Sequence, residues 1–281
     1  MAIDYIINKE CPVKEAVGAG GLIDLVKSRN RAIGIYQRLL DDGKNEQEAL
    51  DTSFFVQTYN ATGEMDTKQV TVRELFQQSN RLKELAPNCK DCPLNTKADG
   101  FGCYKNINYP VSGEAERWLA QLAEAAQSRG LPDSILIKFI LDEEVKGEIF
   151  GRMRKDEQGR FLEAAAPFEV MVEKKLLKKT KVNTDQVMDM LFAVGEMQRT
   201  HQMFLIFFSG GVNISGEEPD PSHYPGDFQA AAIRNDEGGM NYWAFSLPPA
   251  PSDDYSIMQI KEYLRAVFAS FATGVTISVD Y

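Results

Sequence analysis

Histidine is nearly absent from this chain, basic residues are in deficit, and no apolar run is long. Only two histidines, His201 and His223, occur in 281 residues. Neither falls in a recognisable nucleophile or metal motif, so histidine-based acid–base chemistry has little to draw on. The 31 basic residues are outnumbered by 41 acidic ones, a formal charge of −10. That field repels nucleic acid and anionic lipid unless a basic patch is locally segregated. The longest apolar stretch, "MFLIFF" at 203–208, falls far short of the roughly 20 residues that span a bilayer. The opening "MAIDYIINKEC" has neither the basic start nor the apolar core of a secretory signal. The expectation is a cytoplasmic, non-membrane protein in a compartment that keeps thiols reduced. No repeat of 20 to 50 residues and no low-complexity tract is present, which excludes solenoids and wholesale disorder.

What remains is an ordinary globular composition, with 43% hydrophobic and 26% charged residues. Apolar residues from Val13 to Leu40 recur at helical spacing with glycines near 18 to 21, which predicts two helices. "SFFVQTYNATGEMDTKQVTV" reads as two extended segments about a turn, and Thr71 with Glu74 as a capping box opening "TVRELFQQSNRLKEL". Ser112 is placed to cap a helix bearing Trp118, Leu119, Leu122 and Ala126 and ending at Gly130. Beyond "GLPDS" (130–134) the pattern changes. A helix is expected over "SILIKFILDEE", a hairpin from "GEIFGRMR" through "KDEQG" to "RFLEA", and a helix capped by Thr184. "MFLIFF" suits a buried strand followed by a turn at "SGG", and "DFQAAAIR" with "MNYWAFSL" a second hairpin about "NDEGG". Ser252 is placed to cap an amphipathic helix with Ile257, Ile260, Tyr263, Leu264, Val267 and Phe271, before a terminal strand "VTISVDY". The fold class expected is α+β: a mainly helical region over 1–131 with a cysteine-rich metal-binding loop, then an α+β unit over 132–281 with an antiparallel or mixed sheet, the alternative being one continuous domain across that boundary.

The cysteines carry the chemical signal. Three of the four lie in "NCKDCPLNTKADGFGC", and the fourth, Cys11, precedes a proline near the start. Two residues separate Cys89 from Cys92, a spacing at which one tight turn aims both thiolates at a single ion about 2.3 Å from each. Cys103 returns after a loop rich in Asn95, Asp99, Gly100 and Gly102, residues suited to doubling back. Three thiolates leave one tetrahedral position, and Cys11 is the only cysteine left to fill it. The reading is a structural zinc site of Cys11, Cys89, Cys92 and Cys103, with no open position for water activation. Four cysteines also suit an iron–sulfur cluster, although neither common ferredoxin run is present. A C-x-x-C dithiol switch and plain buried packing are the remaining alternatives.

Other signals are weaker. "GAGG" at 18–21 lacks the dinucleotide fingerprint and a preceding strand, and reads as a helix break. "EEPDPSHYPGD" around His223 lacks the calcium-loop pattern and reads as a rigid loop. "EKKLLKKTK" places Lys174, Lys175, Lys178 and Lys179 on adjacent turns of an expected solvated helix face. Met188, Met190, Met197 and Met203 read as adaptable core. The function expected is a protein-interaction or adaptor module stabilised by zinc, with a protein partner. An iron–sulfur redox protein or sensor, or a hydrolase using His201 or His223, stands as the alternative.

Overall fold

The computed structural model describes residues 2–59, 65–95, 100–128, 140, 145–157, 165–174, 178–220 and 229–280. The chain separates into two compact units, Glu10–Gly102 on one hand and Met1–Lys9 with Cys103–Tyr281 on the other. The first is therefore an insertion between the opening strand β1 (Ala2–Ile7) and the rest of its unit. The division expected near residue 131 lies outside the described residues, and described segments on both sides of it belong to the sheet unit.

In the inserted unit, helix α1 (Pro12–Asp41) starts with Pro12 in the first turn, where its missing N–H costs nothing. The backbone leaves helical geometry at Gly18 (φ 71°, ψ 165°), so the glycine run divides the helix as its composition predicts. Helix α2 (Glu46–Asp51) leads into the antiparallel strands β2 (Ser53–Tyr59) and β3 (Met65–Thr71), registered from Ser53 opposite Thr71 to Tyr59 opposite Met65. Thr71 and Glu74 form the expected capping box on α3 (Val72–Ser79), Glu74 N donating to Thr71 Oγ1 at 3.1 Å and Thr71 N to Glu74 Oε2 at 2.7 Å. Ala32, Val70 and Leu75 are buried together, with Phe54, Val56 and Phe76 packed around them. Full burial of a side chain such as Leu75 stabilises by about 1.5–3 kcal/mol. Helix α4 (Arg81–Leu85) and a 3₁₀ turn (Ala86–Cys89) bring the chain to the cysteine loop.

The sheet unit resumes with β4 (Tyr104–Asn108) and α5 (Gly113–Ser128), whose Ala115 N donates to the expected cap Ser112 at 3.0 Å. The sequence "GEIFGRMR" does not begin a hairpin. It forms helix α6 (Glu148–Glu157), with Phe150, Met153 and Arg154 buried at helical spacing. Its first amides donate to Asp189, Phe150 N at 3.0 Å, a cap supplied from 39 residues away that no local pattern announces. The described ends of the lysine-rich stretch are likewise not helical, since β5 (Glu169–Lys174) and β6 (Lys178–Asn183) pair antiparallel with Lys174 opposite Lys178. Helix α7 (Thr184–Leu191) is capped by Asn183 rather than Thr184, in a capping box with Gln186. After β7 (Gly195–Met197), "MFLIFF" lies within helix α8 (Arg199–Ser209), closed by Gly210 in the left-handed region. A run buried on nearly all sides has no period to tell helix from strand. Strands β8 (Val212–Ser215), β9 (Gln229–Arg234) and β10 (Met240–Phe245) follow, with β9 and β10 as the expected hairpin. The long helix α9 (Tyr255–Ala272) is capped by Asp254, whose Oδ1 accepts from Ile257 N at 2.9 Å, and not by Ser252. Its expected apolar positions are all buried. The terminal strand β11 (Ile277–Asp280) completes the unit. The helix expected over 134–144 lies outside the described residues apart from buried Ile140, as does the "RFLEA" strand.

Strand β1, to which the sequence reading assigned no element, pairs antiparallel with both β4 and β11 in a sheet ordered β4-β1-β11-β7. A second sheet runs β8-β10-β9. An aromatic chain joins the layers: Tyr5 meets Tyr263 at 5.1 Å between centroids, Tyr263 meets Phe192 at 5.3 Å, and Phe192 meets Phe150 at 5.7 Å. Both sheets are antiparallel and helices cover them from separate segments, so the α+β class stands. Among the described residues no helix is long and apolar enough to cross a membrane.

Candidate metal centre

Three of the four cysteines belong to the inserted unit. Cys11 is the N-cap of α1, in extended geometry (φ −161°, ψ 160°), and its carbonyl accepts from Glu15 N at 3.0 Å. Cys89 ends the 3₁₀ turn and is 7% exposed. The next turn follows at once, with Cys92 N donating to Cys89 O at 3.2 Å and Asn95 N to Cys92 O at 2.9 Å. Both cysteines of the C-x-x-C thus sit on one hydrogen-bonded turn, as their spacing predicts.

Asn95 ties the loop at both ends. Its Nδ2 donates to Cys89 O at 3.1 Å, and its Oδ1 accepts from Gly102 N at 3.0 Å. Gly100 (φ 90°) and Phe101 (φ 62°) are both left-handed, which a bulky residue adopts only at a cost of about 1–2 kcal/mol. Burial of the Phe101 ring, with the Arg29 guanidinium 5.5 Å from its centroid, works against that strain. Gly100 packs against Cys89 closely enough that a methyl group there would lie 3.4 Å from Cys89 Cβ and 3.7 Å from its Sγ.

The Cys89 thiol is pushed up from its ordinary pKa, first by burial, while a hydrogen bond from the Phe101 amide pulls it down and the neighbouring Cys11 and Cys92 thiols raise it again. Cys11 therefore lies within electrostatic reach of Cys89 although 77 residues intervene. Cys103 is the first residue of the sheet unit after the insertion, where its carbonyl accepts from Ile7 N at 2.9 Å. No disulfide joins any of the four cysteines. Among the described residues no group of three or more His, Cys, Asp or Glu side chains is gathered tightly enough to hold a metal ion. Asn95 and Gly100, named in the sequence as residues that let the loop double back, shape it here, whereas no sequence signal pointed to Phe101.

The remaining candidates are placed differently. His201 lies on α8 with Nε2 2.8 Å from Met190 O, and burial brings its pKa down to about 4. His223 and Asp99 lie outside the described residues. The densest buried charge is elsewhere in the sheet unit, where the Arg154 guanidinium donates to Glu116 Oε1 and Oε2 at 2.9 and 2.7 Å and to Asp185 Oδ1 at 2.6 Å. Thr184 Oγ1 also donates to Glu116, at 2.7 Å. Burial opposes the guanidinium charge, but the two carboxylates more than offset it and push the Arg154 pKa up. The network ties α5, α6 and α7 together through buried, charge-assisted hydrogen bonds. Comparison with known protein families, curated proteins and solved structures returned no match.

Proposed function

We propose that the protein is a cytoplasmic protein-interaction or adaptor module whose inserted unit is stabilised by a structural zinc ion held by Cys11, Cys89, Cys92 and Cys103. The observation that carries this reading is that the start of α1, which Cys11 caps, meets the segment leading to the Cys89–Cys92 turn: Arg81 Nη2 on α4 donates to Ala16 O at 2.9 Å, and α1 packs against the 3₁₀ turn that ends at Cys89. The Asn95 tie and the Phe101 amide directed at Cys89 support it, because backbone donors to thiolate sulfur hold such ligands in place. Cys103 enters as the fourth ligand from its spacing in the sequence. Four protein ligands leave no position for substrate, which favours binding over catalysis. Phe55, 69% exposed on β2 of the same unit, offers a protein partner an aromatic contact. The −10 net charge favours a protein over a nucleic acid as that partner.

The test is elemental analysis with visible spectroscopy of untagged protein purified without oxygen. About one zinc per colourless chain is expected, with loss of metal and marked destabilisation in Cys89→Ser, because ligand-binding energy is folding energy. Iron with sulfide and a visible band would replace zinc by a cluster. Absence of any metal, with unchanged melting in Cys89→Ser and Cys103→Ser, would overturn the reading.

A further inference from the structure

We infer that Cys89 and Cys92 form a reversible dithiol–disulfide couple, so that oxidation by a hydroperoxide closes the turn on itself. Its consequence for the metal, release on oxidation, rests on the zinc reading above; the couple itself does not. The hydrogen bond from Cys92 N to Cys89 O closes a four-residue turn, and such turns hold their end Cα atoms within about 7 Å. Disulfides span Cα separations of about 4.4–6.8 Å, so the pair needs side-chain rotation and little backbone movement. The backbone on both sides is already fixed, by Asn95 N donating to Cys92 O and Asn95 Nδ2 donating to Cys89 O. Neither sulfur is in a disulfide.

Exposure divides the roles. Cys92 is partly buried yet open enough for a small oxidant to reach it, whereas Cys89 is 7% exposed and reachable mainly by its neighbour. The Cys92 thiolate attacks one oxygen of the hydroperoxide, the O–O bond breaks, and the sulfur becomes a sulfenic acid while hydroxide, or alkoxide, leaves. The Cys89 thiol then gives up its proton and attacks that sulfur. An S–S bond forms, the S–O bond breaks, and the departing oxygen takes the proton to leave as water. Two thiols are oxidised by two electrons and one peroxide bond is reduced. A disulfide sulfur is no longer a thiolate ligand, so two of the four proposed zinc ligands are lost in the same event.

The experiment titrates the full chain with hydrogen peroxide in zinc-loaded and metal-free forms, following free thiols, zinc captured by a chromogenic chelator, and disulfide-linked peptides by mass spectrometry. Expected are loss of two thiols per chain, an intact Cys89–Cys92 link reversed by dithiothreitol, and zinc release in step with it. Cys11→Ser should retain the link, and Cys92→Ser should lose it. Sulfinic acids without a link, a Cys11–Cys89 link in its place, or unreactive thiols would each overturn the couple. The two readings fail separately: zinc bound stoichiometrically and unaffected by peroxide removes the couple alone, and a Cys89–Cys92 disulfide in a chain that takes up no metal removes the zinc site alone.

Discussion

His201 makes the stability of the sheet unit depend on pH in a window that can be calculated. Its imidazole is largely buried on α8 with Nε2 2.8 Å from Met190 O, and its pKa is brought down to about 4, mainly by burial, against which the Met190 carbonyl acts. In the unfolded chain the same group titrates near pH 6.5. Between those values the unfolded chain binds a proton that the folded protein does not, so stability falls as pH falls from about 6.5 to about 4, and above about 6.5 the histidine contributes no pH dependence. A gap of about 2.5 units at about 1.4 kcal/mol each gives about 3.5 kcal/mol, an upper value because the residue is not wholly enclosed. Urea unfolding at several pH values should therefore show the native protein losing stability faster on acidification than His201→Gln, which keeps an N–H donor towards Met190 and cannot take up a proton. The carboxylates common to both proteins cancel in the difference. Parallel stability curves across the window, or an imidazole resonance titrating near pH 6.5 in the folded protein, would refute the reasoning.

Two further substitutions test the buried geometry. Arg154→Met leaves Glu116 and Asp185 enclosed without their cation and should cost about 3–5 kcal/mol at neutral pH, a penalty that shrinks on acidification as the stranded carboxylates take up protons; thermal melting at neutral and acidic pH measures both, and a near-neutral substitution would contradict it. Gly100→Ala places a side chain at φ 90° beside Cys89 and should destabilise the inserted unit by about 1–2 kcal/mol and weaken metal uptake; amide exchange over residues 10–102 and zinc titration read the two effects, and unchanged values would show that the loop does not depend on the left-handed turn.

The elements legible in the sequence are those whose signal is local. The capping box at Thr71, the hairpins 53–71 and 229–245, and the apolar stripe from Ile257 to Phe271 need only neighbouring residues to declare themselves. The failures have a common physical origin. Helix α6 owes its first turn to Asp189, and β1 owes its place to strands that begin at residues 104 and 277, so neither carries its own explanation. Phe204, Leu205, Ile206 and Phe208 are all buried, while Met203, expected in the core, is 40% exposed, and consecutive burial of this kind erases the period that separates helix from strand. At the cysteines, spacing announced the turn and its two thiols. The Phe101 contribution was hidden because left-handed backbone is ordinarily assigned to glycine or asparagine, and only the packed chain shows phenylalanine held there.

The insertion also sets a closure problem that the cysteine loop helps to solve. Strands β1 and β4 are paired neighbours, yet about 95 residues separate them, and closing a flexible loop of that length costs about 4 kcal/mol beyond its constant part. The pairings inside residues 10–102 are local by comparison: β2 with β3, and α1 with the helices that follow it. An insertion that folds on these contacts shortens the effective loop only where its own two ends are brought together. Asn95 does this at one end by holding Gly102 to Cys89, and the hydrogen bond from Arg81 Nη2 to Ala16 O, at 2.9 Å, ties the start of α1 to the helix that leads to Cys89. Contacts that hold the two ends of the insertion together thus convert a long closure into a short one and favour the pairing of β1 with β4.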